Sequence, residues 1–291
     1  MVNKFRQKYE YYQSLIEDYL NSLPLKGNLL AESMAYSLMG GGKRFRPVLA
    51  LACVELVGGQ PKEFVREASA LELIHTYSLI HDDLPAMDND DFRRGKPSNH
   101  KKFGEAAAIL AGDALLTYSF ELLAQPLDIS PAKQLRVIRE TAQAAGWQGM
   151  VEGQVLDTLG NGQHKTLQEI ENVHKKKTGA LLIASARLGA ILGGGTEFEI
   201  EKITKYAEYL GLAFQIQDDI LDVVGESETI GKPAGSDQKL AKSTYPSLLG
   251  LDGAREHLAK TINQAKEQME YFGTKAEFLL ALADYAAERN Y

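Results

Sequence analysis

Apolar residues recur at intervals of three and four along almost the whole chain, while alternation with period two is hard to find. Helices account for that pattern and strands do not. The spacing predicts helices over 4–21, 29–39, 46–57, 62–84, 104–123, 131–153, 166–191, 197–224, 239–249, 253–270 and 275–288. Gly40-Gly41-Gly42, Gly58-Gly59-Gln60-Pro61 and Gly193-Gly194-Gly195 punctuate these segments. No polar low-complexity linker accompanies them, so one all-α domain over residues 1–291 is expected. Leu159-Gly160-Asn161-Gly162-Gln163 reads as a helix–helix loop rather than a hairpin. The longest polar interruption runs from Val224 to Lys242 and is either an active-site lid or a surface loop.

Composition narrows the function classes. With 44% hydrophobic and 24% charged residues in 291, the chain is an ordinary globular one. Its 39 acidic against 32 basic residues leave a net charge of −7, which argues against a general nucleic-acid binder but leaves room for a local anion site. The single cysteine, Cys53, lies in the apolar run from Leu49 to Val54 and reads as a buried structural thiol, so neither a disulfide framework nor a cysteine zinc site is expected. The first twenty residues are charged throughout and hold no signal-peptide core. No uncharged apolar stretch of eighteen residues stands out, so no membrane span and a cytoplasmic location are expected.

The candidate chemistry lies in two acidic clusters. The first, His81-Asp82-Asp83-Leu84-Pro85-Ala86-Met87-Asp88-Asn89-Asp90-Asp91, follows the apolar segment Leu71 to Ile80. So many carboxylates at a helix C-terminus repel one another and oppose the helix dipole, so something must offset them. Asp82 and Asp88 lie six apart, about 120° out of register on an unbroken helix. Pro85 is expected to end the helix near Asp83 or Leu84 and let the next turn bring Asp88 back. The second cluster, Gln215-Ile216-Gln217-Asp218-Asp219-Ile220-Leu221-Asp222, also closes an apolar helix, with Asp218 and Asp222 on one face. One aspartate run is ordinarily a solvated surface; the same pattern twice in one chain is not readily a coincidence. Such oxygens suit Mg²⁺, which takes one or two protein carboxylates beside substrate phosphates. Neither cluster has the spacing of a calcium-binding loop.

Cationic groups supply the complement. Gly41-Gly42-Lys43-Arg44-Phe45-Arg46-Pro47 sets three cations beside flexible backbone ahead of a helix. It is not a nucleotide P-loop, and no dinucleotide glycine fingerprint follows a strand. Arg93 and Arg94 follow the first acidic cluster, His174 to Gly179 carries a lysine run, and Lys232 and Lys239 fall in or beside the polar interruption. Carboxylates that hold magnesium and cations that hold the rest of a diphosphate make sense of the combination.

These motifs resemble the trans-isoprenyl diphosphate synthase family, and most closely its bacterial farnesyl diphosphate-forming members. The likeness runs through GGKRFRP at 41–47, IHTYSLIHDDLPAMDNDDFRRG at 74–95, GEAAAILAGDALL at 104–116, KKTG at 176–179, FQIQDDILD at 214–222, DQKLAKSTY at 237–245 and LADYAAER at 282–289. It implies an all-α fold, with helices around a deep apolar cavity, in a homodimer. It implies that Asp82, Asp83 and Asp88, with Asp218, Asp219 and Asp222, hold about three Mg²⁺ ions, for which Mn²⁺ can substitute, on an allylic diphosphate. By the same resemblance Arg93, Lys177 and Lys232 grip that diphosphate, and Gly42, Lys43, Arg46, His75 and Arg94 receive isopentenyl diphosphate. Arg44 belongs to the motif, but the resemblance does not assign it a direct contact. Thr178 and Gln215 border the reacting carbons. The implied chemistry condenses isopentenyl diphosphate with dimethylallyl and geranyl diphosphate by ionisation, condensation and elimination. The catalytic set is then Asp82, Asp83, Asp88, Arg93, Lys177, Thr178, Gln215, Asp218, Asp219 and Lys232.

Product length is expected to turn on Tyr77, five residues before Asp82, with Ser78 beside it. In similar enzymes a bulky aromatic here floors the cavity, and the two extra residues in DDLPAMD accompany short products. Both imply fifteen carbons, with twenty-carbon or ten-carbon products as alternatives. A catalytically silent prenyl-binding homologue should lack one acidic cluster or its cations, and this chain has both.

Overall fold

The computed structural model describes residues 2–160, 164–224 and 243–288. In chain order the helices are α1 (Val2–Ser22), α2 (Leu29–Leu38), α3 (Phe45–Leu56), α4 (Val65–Asp82), α5 (Asn99–Phe103), α6 (Glu105–Ala124), α7 (Pro131–Ala145), α8 (Met150–Thr158), α9 (Leu167–His174), α10 (Ala180–Leu192), α11 (Glu197–Val224), α12 (Tyr245–Met269) and α13 (Glu277–Glu288). Local signals set many of their starts. Asn28 accepts from the Ala31 amide ahead of α2, and Thr166 and Glu169 form a reciprocal cap on α9. Pro131 opens α7, where a missing amide proton costs nothing.

The bundle packs α3 against α10 and α4, α4 against α6, and α10 and α12 against α11. Apolar faces of nearly all the helices meet in one core, with Leu49, Leu51, Leu71, Leu73, Ile74, Leu210 and Ile216 buried completely. This is the all-α isoprenoid synthase architecture, antiparallel helices around a central cavity. The cavity, about 610 Å³, is lined by residues of α3, α4, α6 and α8, the loop after α4 and the turn after α9.

Several elements differ from the sequence expectation. The helix expected over 131–153 breaks into α7 and α8, because Gly146 and Gly149 flank a turn in which the Gly149 amide donates to the Gly146 carbonyl. The segment expected over 166–191 is interrupted by a π-helical turn, Lys175–Gly179. A two-stranded antiparallel ribbon, β1 (Phe92–Arg93) and β2 (Lys96–Pro97), was not expected; it turns tightly through Arg94 and Gly95, both at positive φ. The segments expected over 239–249 and 253–270 join as α12, bent at Gly250. The helix expected over 62–84 begins with a 3₁₀ turn, Pro61–Phe64, and ends at Asp82. Helix α6 is long and apolar enough by length and composition to cross a membrane, although Glu105, Asp113 and Glu121 interrupt it with charge. It packs here against α4 and α2, which accounts for its small apolar residues. Residues 225–242, including Lys232, Lys239 and nearly all of the expected lid, lie outside the described residues, as does the Asn161-Gly162 turn.

Candidate active site

The first acidic cluster folds as Pro85 dictates. Helix α4 ends at Asp82, and the Asp88 amide donates to the Asp82 carbonyl at 2.9 Å, so the loop returns Asp88 to the helix end. Asp82 and Asp88 are half-buried, and Asp83 is turned inward at 2% exposure. The Arg93 Nε donates to both Asp83 oxygens at 2.8 and 2.9 Å. Burial alone would weaken the Arg93 charge, but its bond to Asp83 and the fields of Asp83, Asp82 and Asp90 more than offset that. The β1–β2 ribbon brings Arg93 to this position.

The second cluster repeats the arrangement. On α11, Asp218 and Asp222 are half-buried, whereas Asp219 is buried and accepts from the Tyr245 amide of α12 at 2.9 Å. The middle aspartate of each cluster is therefore engaged by the protein.

Lys177 joins the clusters to a third helix. Its ammonium lies 2.7 Å from Asp157 on α8 and 3.8 Å from Asp82. Burial works against this charge, yet Asp82 and Asp157 hold the Lys177 pKa above its ordinary value. Gln154, one turn before Asp157, donates to Asp82. A Cβ at Gly153 would overlap the Lys177 backbone, so only glycine lets α8 come this close. Gln154 and Asp157 lie just beyond the helix expected over 131–153, and their three-residue spacing was the one signal the sequence offered for them.

Opposite lies the cation loop between α2 and α3. The Lys43 carbonyl accepts from Tyr9 Oη at 2.7 Å and Gln13 Nε2 at 3.2 Å. Arg94 donates to the Gly41 carbonyl, and a Cβ at Gly42, where φ is +130°, would strike the Arg94 guanidinium. Arg46 has a buried Nε without a hydrogen-bond partner. Burial pushes the Arg46 pKa down to about 10, against the opposing fields of Glu72 and of Asp218 across the site. His75 is held well below the ordinary imidazole range by burial, then by Arg46, Arg94, Arg93 and Arg44. An unpaired guanidinium nitrogen among crowded cations is a site prepared for an anion. Arg44 is different: it is 2% exposed and donates to Glu17 at 2.7 Å, Glu72 at 2.8 Å and the Leu38 carbonyl at 2.8 Å. It is sealed from the cavity by its partners.

The cavity joins the first acidic cluster and Lys177 to Arg46 and His75, while Gly42, Lys43, Arg93, Arg94, Gln215 and the second acidic cluster are not among its lining residues. Arg46, His75, Tyr77, Ser78, Asp82, Lys177 and Thr178 all line it, and apolar residues of α6 and α8 extend it. Gln215 stands beside His174, 3.3 Å from its ring.

The polyprenyl synthetase family model matches residues 27–277. The chain belongs to the trans-isoprenyl diphosphate synthases. This prenyltransferase is 50% identical over 264 residues to the farnesyl diphosphate synthase of Geobacillus stearothermophilus, covering 90% of this chain and 89% of that one. It is also 50% identical over 266 residues to a chloroplastic geranylgeranyl pyrophosphate synthase of Capsicum annuum, covering 90% and 72%. The solved apo structure of a farnesyl/geranylfarnesyl diphosphate synthase from Zymomonas mobilis superimposes with a TM-score of 0.86 at 36% identity, covering 98% and 99% of the two chains. The family's activity is condensation of prenyl diphosphates.

The donor set of the prenyltransferase can be tested against the metal that its family implies. Among the described residues no three carboxylate, imidazole or thiolate groups converge into a cage. Half-buried carboxylates, Asp82 and Asp88 on one side and Asp218 and Asp222 on the other, fit Mg²⁺, which completes its shell with water and phosphate oxygens.

Proposed function

We propose that this prenyltransferase makes farnesyl diphosphate, adding isopentenyl diphosphate first to dimethylallyl and then to geranyl diphosphate. The single observation that carries the fifteen-carbon reading is Tyr77, which lines the cavity on the helix that leads into Asp82. Its ring meets the His81 ring edge-on at 5.7 Å, which fixes it as a wall. Geranylgeranyl diphosphate is the second reading, favoured by the likeness to the Capsicum annuum protein and by the cavity's extension to Val155 and Leu159.

Asp82, Asp88, Asp218 and Asp222 would hold Mg²⁺, which supplies charge neutralisation for the departing diphosphate. Arg93, Lys177 and, outside the described residues, Lys232 bind the allylic diphosphate. Gly42, Lys43, Arg46, His75 and Arg94 bind isopentenyl diphosphate. When the allylic C–O bond breaks, the bonding pair leaves with the diphosphate and the carbocation lies beside Thr178 and Gln215, whose oxygens offset its charge. The isopentenyl double bond attacks, and the released diphosphate takes up the proton that restores the alkene. The apolar cavity keeps water from trapping the cation.

A second copy of this chain would cover the exposed apolar side chains Leu110, Leu135 and Trp147, giving a cytoplasmic homodimer. Condensation of the two diphosphates by purified protein with Mg²⁺ tests the reading. Asp82→Asn and Asp218→Asn should each abolish it, and unchanged turnover in either variant would contradict the assignment.

A further inference from the structure

We infer that Tyr9 and Gln13 are positioning residues for isopentenyl diphosphate: from α1 they clamp the Lys43 carbonyl and so set the course of the loop that carries Lys43 and leads to Arg46. This rests on the proposed role of that loop in receiving isopentenyl diphosphate. The loop needs outside support. Gly41, Gly42 and Arg44 all take positive φ, at 86°, 130° and 52°, and for an arginine that conformation is unfavourable. Helix α3 gives little help. Arg44 stands at its N-cap with no side-chain cap, and the helical ladder begins with the Arg44 carbonyl, which accepts from the Val48 amide at 3.0 Å. The Lys43 carbonyl therefore lies one residue ahead of the ladder.

Helix α1 supplies what α3 does not. The Tyr9 hydroxyl donates to the Lys43 carbonyl at 2.7 Å, and Gln13 Nε2 donates to the same oxygen at 3.2 Å. A carbonyl only accepts, so both side chains act as donors here and neither bond has a second arrangement. Burial, followed by the fields of Tyr285 and Glu72, holds the Tyr9 pKa far above its ordinary value, so the phenol keeps its proton. One turn further along α1, Glu17 accepts from Arg44 Nε at 2.7 Å. Tyr9, Gln13 and Glu17, spaced by four, thus form one stripe that grips the peptide between Lys43 and Arg44 and the side chain after it. Because that peptide is planar, holding its carbonyl fixes the backbone rotation on the Lys43 side and on the Arg44 side together. The clamp is itself firmly seated: Tyr9 is 7% exposed, and its ring lies 5.8 Å from that of Phe5 and 5.5 Å from that of Tyr285 on α13. Without it, binding of the diphosphate would have to order the loop as well, and affinity would fall by that cost.

Three variants separate positioning from general stability. Tyr9→Phe keeps the ring packing and removes one donor, and Gln13→Ala removes the other. Tyr12→Phe is the control: it takes a phenol bond from the same helix, but one made to Glu55 in the last turn of α3, away from the loop. Steady-state condensation with Mg²⁺ is measured with each diphosphate varied in turn, together with thermal unfolding. Tyr9→Phe should raise KM for isopentenyl diphosphate about fivefold, the scale of one hydrogen bond, with kcat and KM for dimethylallyl diphosphate within about twofold of wild type. Gln13→Ala, which loses the longer bond, should show the same selectivity with a smaller rise. The double variant should reach at least the product of the two, and Tyr12→Phe should lower Tm without raising KM for isopentenyl diphosphate. An unchanged KM for isopentenyl diphosphate in the double variant would overturn the inference. So would equal rises for both substrates, a rise confined to dimethylallyl diphosphate, or the same rise in Tyr12→Phe. Failure of the wild-type protein to condense the two substrates would contradict the proposed function instead, a separate result.

Discussion

Lys177 and Asp157 form a 2.7 Å ion pair between the turn after α9 and helix α8, beneath the end of the first acidic cluster. The pair directs the lysine toward Asp82 rather than into solvent. Asp157→Asn keeps the shape and weakens the hold. It should cost about 1.5 kcal/mol of transition-state binding, roughly tenfold in kcat/KM for the allylic substrate. Kinetics with varied dimethylallyl diphosphate check this, and an unchanged kcat/KM would remove Asp157 from the site.

Arg44 is expected to act on stability rather than on substrate. Arg44→Met strands the buried Glu72 carboxylate and should lower unfolding stability by about 3–5 kcal/mol. The further change Glu72→Gln should recover part of that loss. Denaturant unfolding measures both; a stable Arg44→Met protein with a raised KM for isopentenyl diphosphate would instead make Arg44 a direct contact.

Much of this was legible in the sequence, because the 3.6-residue period marks any helix with one apolar face, as in α4 and α11. The return of Asp88 to Asp82 was legible because Pro85 leaves the helix no way to continue. The β1–β2 ribbon was not, since two-residue strands carry no periodicity and its turn is Arg94-Gly95 rather than a standard hairpin pair. Gln154 and Asp157 stand in no cluster along the chain and meet Asp82 and Lys177 only through tertiary packing at Gly153. Arg44 shows the converse limit: composition groups it with Lys43 and Arg46, and its left-handed backbone, φ 52°, accompanies a side chain turned to Glu72.

His75 gives a pH dependence of defined sign. Burial and neighbouring cations hold its pKa below the ordinary 6.5 in the free protein, and a bound diphosphate cancels much of that cation field. The bound-state pKa is therefore the higher one. Binding takes up a proton between the two values, and affinity strengthens as pH falls through that window and levels off above it. Calorimetric titration of isopentenyl diphosphate at a series of pH values below 6.5, each in two buffers of different ionisation enthalpy, should show proton uptake that His75→Gln abolishes. Equal apparent enthalpies in the wild-type protein would contradict this.

In the proposed reading Tyr77 is the wall that ends chain growth. The direct test incubates wild-type and Tyr77→Ala proteins with Mg²⁺, isopentenyl diphosphate and dimethylallyl diphosphate, and measures product length by mass spectrometry. The wild type should give a dominant fifteen-carbon diphosphate, and Tyr77→Ala should give products longer by at least one five-carbon unit. A twenty-carbon wild-type product, or the same distribution from both proteins, would contradict it.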